Sequence, residues 1–173
     1  MRLFYALTFS DDCLDQIARL QQQQQVLLHK GKKTAFENFH VTLCFLGEQP
    51  QSRIPKLNSV LKSLEIPSFK LTFNHIGAFR KPDGLVIYSG IQENDELSAV
   101  QKTLTKAIRA QSIAIADTRF TAHLTLFRRA QGVILKQDTS FSAYPKDLSL
   151  MLSHSVAGRL TYTPLNSKLI HYL

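Results

Sequence analysis

FHVTLCFLGE, residues 39–48, is the stretch on which the fold turns. Val41, Leu43 and Phe45 sit two apart, the period of a strand that buries one face. By that alternation His40, Thr42 and Cys44 share the opposite face, imidazole beside hydroxyl. The pattern returns 83 residues later in FTAHLTLFRRA, residues 120–130. There His123-Leu124-Thr125-Leu126 matches His40-Val41-Thr42-Leu43 as H-x-T-L. A repeat at half the chain length implies two similar lobes about a pseudo-two-fold axis, with both motif strands facing one cleft.

Around these strands, helix and strand patterns alternate. RLFYALTF (2–9) reads as a first strand rather than a secretory signal, because its short apolar run leads directly into Asp11 and Asp12. Ser10 or Asp11 can cap a helix carrying Leu14, Ile17, Ala18, Leu20, Leu27 and Leu28. Gln21–Gln25 reads as a solvated face of that helix, which Gly31 and its basic neighbours end. A helix is expected over 53–65, a strand over 68–79, a turn at RKPDG (80–84), a return strand over 85–91 and a helix over 94–111. A polar loop with Gly132 and Pro145 follows 120–130, then a strand over 147–158 and closing strands over 159–165 and 168–173. Such interleaving with tight turns predicts an α+β fold: bilobal, two pseudo-symmetric lobes of mostly antiparallel sheet, helices flanking a central cleft. Residues 1–173 are expected to form one such domain.

The chain has 173 residues, a formal net charge of +8 and a sequence pI of about 9.7. A basic surface attracts polyanions, so a phosphate-rich partner such as RNA fits. Two cysteines, Cys13 and Cys44, are too few for a disulfide framework, and a reducing cytoplasm is the expected location. No stretch is long and apolar enough to span a membrane. No glycine-rich phosphate loop and no GxSxG elbow is present.

Paired imidazoles and hydroxyls suit in-line displacement at phosphorus, where attacking and leaving oxygens lie on opposite sides. One neutral histidine takes a proton from water, and one protonated histidine gives a proton to the departing oxygen. Hydroxyls from Thr42 and Thr125 donate to the non-bridging oxygens. This chemistry requires no metal or cofactor. A His40–Cys44–His123 metal site is the chemical rival, but no CxxC spacing or carboxylate supports it. His29, His75, His154 and His171 lack the following x-Thr-Leu and read as surface or structural.

At these motifs the sequence resembles the two-histidine (2H) phosphoesterase superfamily, and within it the RNA 2′,3′-cyclic phosphodiesterases formerly called 2′-5′ RNA ligases. RLFYAL, NFHVTLCFLGE, RFTAHLTLFRRA and RLTYTPL carry the resemblance along most of the chain. It implies hydrolysis of an RNA or nucleotide 2′,3′-cyclic phosphate to a 2′-phosphomonoester; a monomer is expected, though the sequence does not itself give the oligomeric state. His123 would activate water, His40 would protonate O3′, and the acid and base roles could be exchanged. Thr42, Thr125 and Arg128 would hold the phosphate. Strict alternation turns Arg128 away from His123 unless the strand bulges or ends there, which leaves Arg129 as a rival. Many relatives carry proline just before the second histidine, where this chain has Thr121 and Ala122. The alternatives are another cyclic phosphate as substrate, a weak 2′-5′ ligase, or a basic RNA-binding module whose histidines do no chemistry.

Overall fold

The structure is a computed structural model, and it describes residues 1–136 and 140–171. Among the described residues, nine strands form one sheet and three α-helices flank it. The elements run β1 (Arg2–Thr8), α1 (Asp11–Gln25), β2 (Leu28–Lys33), β3 (Val41–Glu48), α2 (Ile54–Ser63), β4 (Leu71–Lys81), β5 (Gly84–Ile91), α3 (Asp95–Ala110), β6 (His123–Gly132), β7 (Phe141–Ala143), β8 (Asp147–Val156) and β9 (Arg159–Leu169). A turn of 3-10 helix, Phe36–Asn38, leads into β3. Every pairing is antiparallel.

The sheet divides at one seam. β3, β1, β8 and β9 make one half; β7, β4, β5 and β6 make the other, with β2 added along β6. β3 and β6 join through a single residue pair, Val41 with Leu124, after which β2 takes over the edge of β6. The two H-x-T segments therefore contain the one rung that ties the halves together among the described residues.

One face of both halves forms the core. α3 buries Leu97, Val100, Leu104 and Ile108, spaced three or four apart, and its N-terminus is capped by Asn94 Oδ1 accepting from Leu97 N–H at 2.7 Å. α2 buries Leu57, Val60 and Leu61, and the Lys168 ammonium donates to the carbonyls of Lys62 and Leu64 at its C-terminal end. Each buried leucine, isoleucine or phenylalanine contributes about 1.5–3 kcal/mol. The opposite face of the first half carries a small second cluster, Phe4, Ala6 and Met151 with Phe45 and Tyr162 against it.

Several expectations are corrected. α1 ends at Gln25, and the basic cluster is strand β2, because β6 offers an unpaired edge beyond the seam. Gln21 and Gln24 are not solvated: they are 1% and 0% exposed. Gln21 Nε2 donates to Thr34 O (2.9 Å) and Leu126 O (2.8 Å). Gln24 donates to Val133 O and accepts from Leu135 N–H, both at 2.8 Å. Ser10 occupies the N-cap of α1 without a side-chain capping bond. The polar loop after β6 contains β7; its residues 137–139 lie outside the described residues. The two closing strands are one strand, β9, with an irregularity between Met151–Pro164 and Leu150–Asn166, and residues 172–173 of the expected last strand lie outside the described residues.

Candidate active site

Both motif strands break their alternation at the same letter. Against β1, Ala6 pairs with Thr42 and Tyr5 with Cys44, so Leu43 is an extra residue. Against β5, Tyr88 pairs with Thr125 and Ile87 with Phe127, so Leu126 is an extra residue. The leucine of each H-x-T-L is thus the bulge. A bulge sends two successive side chains to one face and reverses the phase beyond it. Leu43 and Cys44 are both buried in the core, as are Leu126 and Phe127. The residue five past each histidine, Phe45 or Arg128, then turns to the cleft. This corrects the expected placement of Cys44 beside His40 and of Phe45 on the core face. It also meets the condition under which Arg128 joins His123.

A glutamine from a helix supports each bulge. The Leu126 carbonyl accepts from Gln21 of α1, and the Leu43 carbonyl accepts from Gln101 Nε2 of α3 at 3.4 Å. The Leu126 carbonyl also accepts from Thr34 N–H at 2.9 Å, and a buried carbonyl left without any partner costs about 1–3 kcal/mol.

The two rings are set alike. His40 Nδ1 lies 2.7 Å from the Asn38 carbonyl, and His123 Nδ1 lies 2.6 Å from the Thr121 carbonyl, each two residues back. A carbonyl oxygen only accepts, so Nδ1 carries the proton and Nε2 holds the lone pair in the neutral ring. The Thr42 hydroxyl donates to His40 Nε2 at 3.0 Å. Each ring also sits between two aromatics. Phe4 and Tyr162 flank His40 at 5.1 and 4.9 Å between centroids; Phe79 and Tyr88 flank His123 at 5.0 and 5.3 Å.

Burial pushes the His40 pKa down to about 4, aided by repulsion from Arg128 and His123 and opposed by the Asn38 carbonyl. His123 is lowered too, again by burial first, with Arg128 adding to it and the Thr121 carbonyl opposing. At neutral pH the cleft therefore holds two neutral imidazoles beside a guanidinium. Cys44, held up to about 12 by burial, stays a thiol.

The cleft, about 690 Å³, is lined by His40, Thr42 and Phe45 from one half and His123 and Arg128 from the other. Thr125, 8% exposed, lines an adjoining recess of about 210 Å³ with His40, Arg128, Lys32 and Tyr162. All five residues singled out from the sequence thus border one connected space. Arg129 borders it too, but its φ of 52° and its 2.9 Å ion pair to Asp83 Oδ2 tie its guanidinium to the β4–β5 turn. Arg128 has no carboxylate partner among the described residues. Sequence reasoning missed Tyr162, Lys32 and Asn38. The N-x-H spelling before the first motif was the one visible signal for Asn38.

Two lobes meeting at paired H-x-T strands are shared with known phosphoesterase folds. The LigT-like phosphoesterase family model matches residues 7–88, which include the first motif. It is 28% identical over 130 residues to the RNA 2′,3′-cyclic phosphodiesterase of Archaeoglobus fulgidus, covering 74% of this chain and 72% of that protein. With the RNA 2′,3′-cyclic phosphodiesterase of Escherichia coli it shares 26% identity over 95% of this chain and 93% of the relative. The crystal structure of E. coli LigT complexed with 3′-AMP superposes with a TM-score of 0.83 at 23% identity, covering 99% of this chain and 98% of that one. The same protein complexed with ATP gives 0.80 at 25% identity over the same shares.

Proposed function

We propose that the chain hydrolyses the 2′,3′-cyclic phosphate at the end of an RNA to a 2′-phosphomonoester, with the two histidines moving the protons. The observation that carries this reading is the pair of Nε2 atoms presented to one cleft from either side of the Val41–Leu124 rung, with Arg128 beside them. Water attacks phosphorus and loses a proton to one neutral Nε2. The P–O3′ bond breaks and O3′ takes a proton from the other Nε2. Thr42, Thr125 and Arg128 hold the non-bridging oxygens, whose charge grows in the transition state. Residues 1–173 act as one bilobal unit, because each half supplies one imidazole.

One ring must be protonated when phosphate binds, and the phosphate's negative charge supplies that shift. The family resemblance makes His40 the acid. Burial favours the reverse, since His40 is held at about 4 and is the ring harder to charge. A substrate with sulfur in place of O3′ decides between them: a thiolate leaves unaided, so it restores turnover only to the variant lacking the acid.

RNA, rather than a free nucleotide, is supported by β2. His29, Lys30, Lys32 and Lys33 are exposed along it, and Lys32 pairs with Arg128. The curated relatives are named for action on RNA. The direct test incubates the protein, with chelator, with an oligoribonucleotide ending in a 2′,3′-cyclic phosphate and follows phosphorus by NMR. A 2′-phosphomonoester is expected; a 3′-phosphate product or no turnover overturns the proposal.

A further inference from the structure

The structure assigns Asn38 as the positioning residue of His40, a role that rests on the reading of His40 as a proton carrier. Asn38 is 6% exposed, and its bonds run in two directions. Its side-chain Nδ2 donates to Leu160 O at 2.8 Å, and its Oδ1 accepts from Tyr162 N–H at 3.2 Å. Both partners lie on β9, so the amide takes the place of a neighbouring strand at the outer edge of the β8–β9 hairpin. Its backbone carbonyl faces the other way and accepts from His40 Nδ1. Its own N–H is tied to Ala35 O at 2.9 Å, closing the short helical turn.

One residue thereby fixes His40 on two sides. The carbonyl behind the ring sets which nitrogen carries the proton. The amide seats Tyr162, whose ring meets His40 edge-on at 4.9 Å and 87°. A carbonyl anchored by three other bonds cannot swing away, so Nε2 keeps its lone pair aimed into the cleft. The second histidine lacks this device: the Thr121 carbonyl belongs to an exposed residue ahead of β6, and no side-chain bond of Thr121 is present among the described residues.

A merely structural amide would alter stability and leave the ring state alone, so the test reads the ring. Nitrogen NMR of the histidine rings in wild type should show His40 as a single tautomer protonated at Nδ1. In Asn38→Ala, His40 should become a tautomer mixture while His123 keeps its wild-type signals. Turnover on the cyclic-ended oligoribonucleotide should fall about ten- to a hundredfold in kcat with KM within about twofold, the pattern of a misaimed group. Asn38→Asp retains the acceptor for Tyr162 N–H and should be intermediate; it also serves if the alanine variant does not fold. A folded variant whose His40 ring keeps the wild-type tautomer overturns the assignment, as does a changed tautomer with unchanged kcat. Wild type without any turnover would sink the functional reading, while the ring spectra would still decide whether Asn38 holds the tautomer.

Discussion

His40 and His123 stand on strands of the same construction, and the side chains those strands turn to the cleft part company two residues past the bulge. Up to that point the halves share a carbonyl two residues back, two flanking aromatics, a threonine two residues on, a bulged leucine and a helix glutamine on its carbonyl, and differ in the side-chain anchoring of Asn38. Beyond it the first half offers Phe45, over which the Arg2 guanidinium lies at 5.0 Å, and the second offers Arg128. Repeated backbone geometry has made two positions equivalent, and side-chain identity has made one apolar and one cationic. On the proposed mechanism, the symmetric part of the cleft would serve proton transfer, which needs two of a kind, while the asymmetric part would orient an anion that has two unlike ends.

The comparison breaks most simply at the rings. His40→Ala and His123→Ala should each lose about 10²–10⁴-fold in kcat, and circular dichroism should find both folded. If one variant kept full turnover, the two halves would not share the work. Next comes the asymmetric pair of positions. Arg128→Ala should cost about ten- to a hundredfold in kcat/KM through lost charge-assisted bonds to phosphate. Because Arg128 lowers both histidines, its removal should also move the kcat/KM optimum to higher pH. Arg129→Ala should change kcat/KM by less than about threefold, since its exposed ion pair to Asp83 is worth about 0.2–1 kcal/mol.

Acidity separates the rings more finely. The folded pKa of His40, about 4, lies below the ordinary 6.5, so the unfolded chain takes the proton first as pH falls. His40's contribution is intact above pH 6.5 and is lost progressively toward pH 4. Between pH 7 and 5 it should cost roughly 2 kcal/mol, read by urea unfolding, and His40→Asn should flatten that slope. For the same reason kcat/KM should peak below pH 6.5, where one ring can carry a proton. The smallest effects concern the supports. Gln21→Ala should destabilise by about 1–3 kcal/mol, removing the amide that Thr34 O and Leu126 O both accept from, and Gln101→Ala by less, since its bond is 3.4 Å long. Gln22→Ala, at an exposed position, should sit within about 0.5 kcal/mol of wild type.

The α+β architecture, the hairpin at RKPDG, helices α2 and α3 and the pairing of two H-x-T strands were legible, because periodicity reports burial and turn residues report breaks. Face assignment beyond Leu43 and Leu126 was not. A bulge is a property of two strands in register, and one strand's letters cannot reveal it. The same holds for β2: its basic residues advertise no strand, and only the free edge of β6 makes one. Gln21 and Gln24 look like any surface glutamines until the carbonyls they serve are placed opposite. Asn38 was hidden likewise, since its partners on β9 lie more than 120 residues away.

The buried glutamines give the run Gln21–Gln25 a tolerance that a mixed sequence would not have. Anchoring needs glutamine at the first and fourth places only. Were slippage during replication to add one more glutamine, both anchoring places would still be occupied by the right amide. The surplus residue would pass down to the Val26–Leu27 connection ahead of β2, where Val26 is 82% exposed. A monotonous stretch here works as a slip joint, absorbing a length error before it reaches the floor of the cleft.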